Sequence, residues 1–232
     1  MSAPVILVTG TDTEVGKTVT TAAVAAALAA QGMRIAVVKP VQTGLAPGEP
    51  GDVDEVARLA GTEGVTTHEF TRLPDPLAPD AAARLAGTSI PTVAEHAERV
   101  LEIADRDDVD TVIVEGAGGL LVHLDGGGAT LADLAVHLRD KGVRAGFVLV
   151  VAPRLGTLNA TALTAEALRH RGLDLIGYVV GSYPDEPGLA ERTNLDDLPK
   201  AAGAQPLGRL PERAAQLDPN TFRNNASKWV HL

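Results

Sequence analysis

The segment Gly10-Thr11-Asp12-Thr13-Glu14-Val15-Gly16-Lys17-Thr18 constrains this chain more than any other. It follows the apolar run Val5-Ile6-Leu7-Val8 and precedes an alanine-rich stretch, residues 20–31, that reads as a helix. A strand, a glycine-bounded loop ending in Gly-Lys-Thr and a helix are the setting that a phosphate-binding loop needs. Backbone N–H groups of such a loop wrap an anion, and the helix N-terminus adds partial positive charge. Lys17 can neutralise outer phosphate oxygens, and the Thr18 hydroxyl is a ligand suited to Mg²⁺. The segment therefore predicts a nucleoside triphosphate site, with Glu14, Val15, Gly16, Lys17 and Thr18 among its contacts.

Two features set this loop apart. Gly10 and Gly16 enclose five residues where the common pattern has four. Asp12 and Glu14 also place carboxylates in a loop built to hold polyanions. Like charges at that range repel, so both side chains must turn toward solvent, a metal or a cationic ligand. A co-substrate bearing ammonium groups is one such ligand.

Apolar runs then alternate with helical stretches, the pattern of an α/β fold whose mostly parallel central sheet is flanked by helices. The 232 residues, 45% hydrophobic, suit a single domain of P-loop NTPase type. The run Ile35-Ala36-Val37-Val38 delivers Lys39-Pro40-Val41-Gln42-Thr43-Gly44 at its C-terminal end, the edge where ligands bind in open sheets of this class. Residues 45–51 are dense in glycine and proline, and 46–51 form a candidate lid. Asp52 opens a helix over 52–60, where an acid is ordinarily a cap or a dipole partner. Residues 61–79 read as irregular and 79–85 as a short helix. A further helix spans 92–104, with Thr92 and Glu95 as a capping box. Asp105, Asp107, Asp108 and Asp110 read as a solvated turn.

The strand Thr111-Val112-Ile113-Val114 ends in Glu115-Gly116-Ala117-Gly118-Gly119, which puts an acid where P-loop enzymes hold Mg²⁺ or its water. A short strand over 120–122, a mobile turn at 126–128 and a helix over 130–141 are expected next. The most apolar strand, 146–152, is predicted to be central. It leads to a helix over 158–171 whose free N–H groups could take a carboxylate. A strand at 175–180, a loop at 181–188, a weak helix at 191–201, an edge strand at 205–208 and a loosely packed tail from about 219 complete the reading.

Several partners are disfavoured. A net charge of −10 argues against nucleic acid and anionic membrane surfaces. The first apolar run is too short for a signal peptide or a membrane span, so a cytoplasmic location is expected. With no cysteine, thiol and disulfide chemistry is excluded. The six histidines show no paired metal spacing and read mostly as surface residues.

The acceptor comes from a resemblance. The phosphate loop, Lys39-Pro40-Val41-Gln42-Thr43-Gly44, Val114-Glu115-Gly116-Ala117-Gly118-Gly119 and Leu155-Gly156-Thr157-Leu158-Asn159 together resemble the dethiobiotin synthetase family, in order from the first strand to about Glu212. The resemblance implies a cyclo-ligase of biotin biosynthesis that joins 7,8-diaminopelargonic acid and CO₂ at the expense of ATP. It implies a carbamate, then a carbamic-phosphoric anhydride, then ring closure with release of ADP and phosphate. Lys17 and Lys39 match the family's catalytic cations, and Thr18, Asp52 and Glu115 its Mg²⁺ ligands. Gly116, Ala117 and Gly118 match nucleotide contacts. Thr13 and Thr43 match substrate contacts. Gly156, Thr157, Leu158 and Asn159 match a helix start that serves the neighbouring subunit's substrate in a homodimer.

One departure stands out. Many family members carry Asn-Asp where this chain has Gly181-Ser182, so the base must be read by backbone groups, with Leu210, Pro211 and Glu212 as candidates, and the preference among triphosphates is open. A regulatory ATPase of MinD or ParA type is the alternative. It calls for a second lysine early in the loop and a basic amphipathic C-terminal helix; residues 11–14 have no lysine, and residues 220–232 carry only Arg223 and Lys228 as fixed cations.

Overall fold

Buried apolar runs alternating with helices supply most of a seven-stranded parallel sheet, beside which lies a small two-stranded one. The computed structural model describes residues 2–61 and 63–232. The chain runs β1 (Val5–Gly10), α1 (Lys17–Ala29), β2 (Ile35–Lys39), β3 (Gln42–Thr43), α2 (Asp52–Ala60), β4 (Val65–Glu69), β5 (Arg72–Leu73), α3 (Pro79–Ala86), α4 (Val93–Ala104), β6 (Thr111–Gly119), α5 (Leu131–Asp140), β7 (Ala145–Val151), α6 (Thr157–His170), β8 (Asp174–Tyr183), α7 (Leu189–Ala202), β9 (Pro206–Pro211) and α8 (Pro219–Trp229). The main sheet has the order β4-β2-β6-β1-β7-β8-β9, and its strand pairs are parallel.

Alternation along β1 divides the core. Val8 faces a cluster with α1, α2 and α8, while Val5 and Leu7 face one with α4 and α5. Helix α1 is fully buried from Ala22 to Ala25, and its methyl side chains let it lie close on the sheet while α2 and α8 pack against it. Strand order reverses at β1, which has β6 on one side and β7 on the other. The C-terminal ends of β1, β2 and β6 therefore bring the phosphate loop, Lys39 and Glu115 to one edge.

Several expectations need correction. The middle strand is β1; β7 is its neighbour. The stretch read as irregular contains β4, which pairs in register with β2 from Ile35 opposite Val65 to Lys39 opposite Glu69. Its Val-Thr-Thr-His-Glu sequence carries little apolar signal because β4 is an edge strand; Thr62, in the same stretch, lies outside the described residues. Residues 120–122 form a turn rather than a strand, and the glycine turn after them is held by Asp125, whose Oδ1 accepts from the N–H groups of Gly127 (2.9 Å) and Ala129 (3.0 Å). Strand β8 runs on through Gly181 and Ser182 to Tyr183.

The tail is not loose. Asp218 caps α8 by accepting from the Thr221 N–H at 3.0 Å, and Pro219 takes the first helical turn. Phe222 and Ala226 are completely buried against the α1 cluster, and Trp229 meets Phe222 edge-on at 5.3 Å. The i, i+4, i+7 spacing of these three residues carried the signal, diluted by polar neighbours.

His96 also departs from the surface reading. It is fully buried in α4, stacked on Phe70 at 5.9 Å, and neither ring nitrogen has a hydrogen-bond partner among the described residues. Burial, aided by the Arg99 charge and opposed by Asp125 and Glu95, lowers its pKa from 6.5 to about 4. The unfolded chain thus takes up a proton below pH 6.5 that the folded chain refuses until about pH 4. Stability is full above pH 6.5 and drains through that window as pH falls. Between pH 7 and pH 5 the wild type should lose about 2 kcal/mol more than His96→Leu. Denaturant unfolding of both proteins at the two pH values checks this, and equal losses would count against it.

Candidate active site

The phosphate loop is shaped by residues in the left-handed region. Glu14 has φ 58° and Gly16, the N-cap of α1, has φ 94°. The Thr11 N–H bonds the Val150 carbonyl at 3.0 Å, which anchors the loop to β7. The Asp12 side chain points outward, 64% exposed, with its Oδ2 3.5 Å from Arg154 Nη2; Glu14 is exposed as well. Asp12 Oδ1 accepts from the Thr13 N–H at 2.8 Å, so that carboxylate is held by its own loop and by Arg154, while Glu14 lines the cleft. Lys17 Nζ folds back to donate to the Asp12 carbonyl at 2.8 Å. Burial lowers its pKa and Lys39 adds to that, against the opposing carboxylates of Glu115, Asp52 and Asp12.

Lys39, from the end of β2, is the centre of the site. Its ammonium lies 2.5 Å from Asp52 Oδ2 and 2.9 Å from Glu115 Oε1, and it donates to the Gly116 carbonyl at 3.1 Å. Lys39 is 4% exposed and Glu115 2%. Burial alone would pull this lysine down, but the Glu115 and Asp52 charges outweigh it and hold its pKa above the ordinary value. Asp52 is the converse: burial pushes its carboxyl up, and Lys39 more than offsets that, leaving it below the usual range. The Thr18 hydroxyl donates to Glu115 Oε1 at 2.9 Å, so Thr18, Asp52 and Glu115 converge on one point. Two carboxylates and a hydroxyl are hard oxygen donors, a set that fits Mg²⁺ when phosphate oxygens and water complete the shell.

A cleft of about 510 Å³ opens above this cluster, and Thr13, Glu14, Gly16, Lys17, Thr18, Lys39, Thr43, Asp52, Glu115, Ala117 and Gly118 all line it. A second cavity of about 280 Å³ continues past Glu14 and Gly16 to Ser182, Leu210 and Pro211. Other predicted contacts sit elsewhere. Val15 is buried, and its carbonyl lies against Gly181, beneath the loop. The Glu212 carboxylate faces the Asp185 N–H, 3.4 Å away. Gly156, Thr157, Leu158 and Asn159 line neither cavity of their own chain; they form the start of α6, next to Leu155, which is 84% exposed.

A profile described as an AAA domain matches residues 5–220. The ATP-dependent dethiobiotin synthetase BioD of Streptomyces coelicolor is 53% identical over 227 residues, which is 98% of this chain and 92% of that one. The chain belongs to the dethiobiotin synthetase family. The synthetase of Saccharopolyspora erythraea is 58% identical over 219 residues, covering 94% and 91% of the two chains. The cell division ATPase MinD of Pyrococcus furiosus superposes with a TM-score of 0.58 at 17% identity over 98% of each chain, a likeness of fold.

Sequence reasoning missed several residues of this synthetase site. Gln42 is 5% exposed, and its side-chain carbonyl accepts from the Asp52 N–H at 3.0 Å, so it fixes the start of α2. Its place inside the Lys39–Gly44 block was the available signal. Pro76 walls the cleft against Gly44, whose φ is 79°. The candidate lid is tied from behind: Arg72 donates to the carbonyls of Ala46 and Glu49, and Glu69 holds the same guanidinium at 2.7 and 2.8 Å. Arg213 and Gln216 line the second cavity from a short turn that follows Pro211, and no periodicity marks them in the sequence.

Proposed function

We propose that this chain is an ATP-dependent dethiobiotin synthetase, a ligase of biotin biosynthesis that carboxylates and cyclises 7,8-diaminopelargonic acid. The observation that carries the reading is Lys39, buried between Asp52 and Glu115 at the mouth of the phosphate loop. One amine of the substrate captures CO₂, losing a proton and forming a C–N bond to give a carbamate. A carbamate oxygen attacks the γ-phosphorus, breaking its bond to the β-bridging oxygen and releasing ADP. The second amine attacks the carbonyl carbon of the mixed anhydride, closes the urea ring, expels phosphate and loses a proton. Lys17 and Lys39 bracket the two anions that must approach each other, the carbamate and the γ-phosphate, and so lower their repulsion. Thr18, Asp52 and Glu115 would hold Mg²⁺, which supplies charge neutralisation to the β- and γ-phosphates.

Thr13 and Thr43 line the cleft and are assigned to the diamine. The reading includes a homodimer in which the α6 start, Gly156 to Asn159, offers free N–H groups to the substrate carboxylate of the partner. Exposed Leu155 and Leu163 (59%) beside that start support a covered face. A MinD-like switch is less well served. The apolar face of α8 packs into the core, leaving it unavailable to a membrane, and no helix among the described residues is long and apolar enough to cross one.

Phosphate release should be followed with ATP and separately with CTP, Mg²⁺ and radiolabelled bicarbonate, with and without 7,8-diaminopelargonic acid. Release that requires the diamine, with label in an acid-stable ring product, is the expected result. Release indifferent to the diamine would overturn the ligase reading.

A further inference from the structure

We infer that the Gln216 side chain reads the edge of the nucleobase, an assignment that rests on the nucleotide-binding reading above. The cavity of about 280 Å³ shares Glu14 and Gly16 with the phosphate cleft, so it is the continuous path for a nucleoside whose phosphates occupy the loop. One of its sides follows β8, and no side chain can enter from Gly181. A Cβ there would stand 2.0 Å from the Val15 carbonyl oxygen, a backbone atom that cannot swing aside. On that side Ser182 offers a single hydroxyl, so a paired donor and acceptor must come from the opposite wall.

That wall is the turn after β9. Leu210 and Pro211 contribute apolar surface. Arg213 is already engaged, its Nη2 2.9 Å from Asp185 Oδ2 and 3.4 Å from Glu212 Oε1. Those contacts hold the turn in place, and Ala214, 3% exposed, roots it in the core. Glu14 carries a charge that phosphate repels. Gln216 is left: its backbone is pinned, with its N–H on the Arg213 carbonyl at 2.8 Å, while its side-chain amide takes no hydrogen bond from the described residues. An amide presents a donor beside an acceptor, the complement of a base edge, where adenine and cytosine offer an amino group next to a ring nitrogen. Turned over, the same amide suits guanine or uracil, so Gln216 supplies affinity for the base itself. A carboxylate at the same place can only accept, and guanine alone offers two adjacent donors to it.

Calorimetric titration of the full chain with the Mg²⁺ complexes of ATP, CTP, GTP and tripolyphosphate separates these roles. Gln216→Ala should weaken the three nucleotides roughly five- to tenfold, the scale of one or two neutral hydrogen bonds. Tripolyphosphate, which has no base, should bind the variant and wild type alike. Gln216→Glu should raise GTP relative to ATP and CTP by at least about fivefold, a change of ratio that a merely structural residue would not produce. Equal losses for tripolyphosphate and nucleotides, or no loss for any nucleotide, would overturn the assignment. Wild-type protein that binds none of the four ligands would overturn the nucleotide reading, and the assignment with it.

Discussion

Lys39→Met is expected to lower synthetase turnover at least about a hundredfold, the usual scale for removing one group aimed at developing charge. The same change should tighten the grip of the chain on free Mg²⁺. In the absence of nucleotide the Lys39 ammonium is the counter-ion of Asp52 and Glu115, 2.5 and 2.9 Å away. A dication that needs those carboxylates must displace it. Methionine keeps most of the stem volume and removes the charge, leaving Glu115, 2% exposed, without its partner. An uncompensated buried charge of this kind costs about 3–5 kcal/mol in stability at neutral pH.

The pH dependence of that loss has a definite sign. In the wild type the Asp52 carboxyl is held below its ordinary value, Lys39 outweighing the opposing effect of burial. Its contribution to stability is present above the unfolded pKa and lost as pH falls through the folded one. Without Lys39 the Asp52 carboxylate loses the charge that offsets its burial and is relieved by protonation, so the deficit of the variant should shrink toward pH 5. Melting curves in EDTA and in Mg²⁺, at both pH values, test the balance. Equal stabilisation of both proteins by Mg²⁺ would show that the ammonium and the metal do not compete, and undiminished turnover would remove Lys39 from the chemistry.

The site was legible in the sequence where the chemistry is local. Gly10 to Thr18 announced itself because the loop, the strand before it and the helix after it are contiguous, and Lys39 and Glu115 followed as polar ends of buried strands. Asp52 was not legible from its own surroundings. An acid at the first turn of a helix looks like a cap, and only folding, with Gln42 orienting the start of α2, carries its carboxylate to Lys39. The strand β4 was missed because an edge strand need not be apolar, and α8 because its three core residues are diluted by Asn, Thr, Arg and Lys. His96 shows the opposite failure: no periodic rule warns that a histidine on the inner face of an amphipathic helix will be sealed without a partner. The turn over Ala214–Gln216 carries no repeating pattern, so the wall of the second cavity emerged only from the packing of β9 against β8.

Gly181→Asn is the second change expected to have a large effect, and its direction runs against a simple reading of the family. The family resemblance places asparagine at this position, and introducing it would seem to add a base-reading amide. In this chain the phosphate loop leans on β8. The Val15 carbonyl oxygen occupies the space of a Cβ at 181, 2.0 Å from its ideal position, and a Cβ placed on Gly16 would stand 3.5 Å from the Gly181 Cα. Any side chain at 181 must push the loop away from the strand. Forced insertion into a packed contact of this kind costs about 1–3 kcal/mol. Because the displaced atoms are the loop that wraps the phosphates, the loss falls on phosphate binding rather than on base choice. The variant should therefore bind ATP, CTP and tripolyphosphate all about tenfold or more weakly, with little change in their ratios. Gly181→Ala, which adds the Cβ without the amide, should show most of the same defect. A selective gain for ATP in Gly181→Asn, with tripolyphosphate binding unchanged, would mean that the loop can retreat freely and that the contact between Val15 and Gly181 does not set the position of the phosphate site.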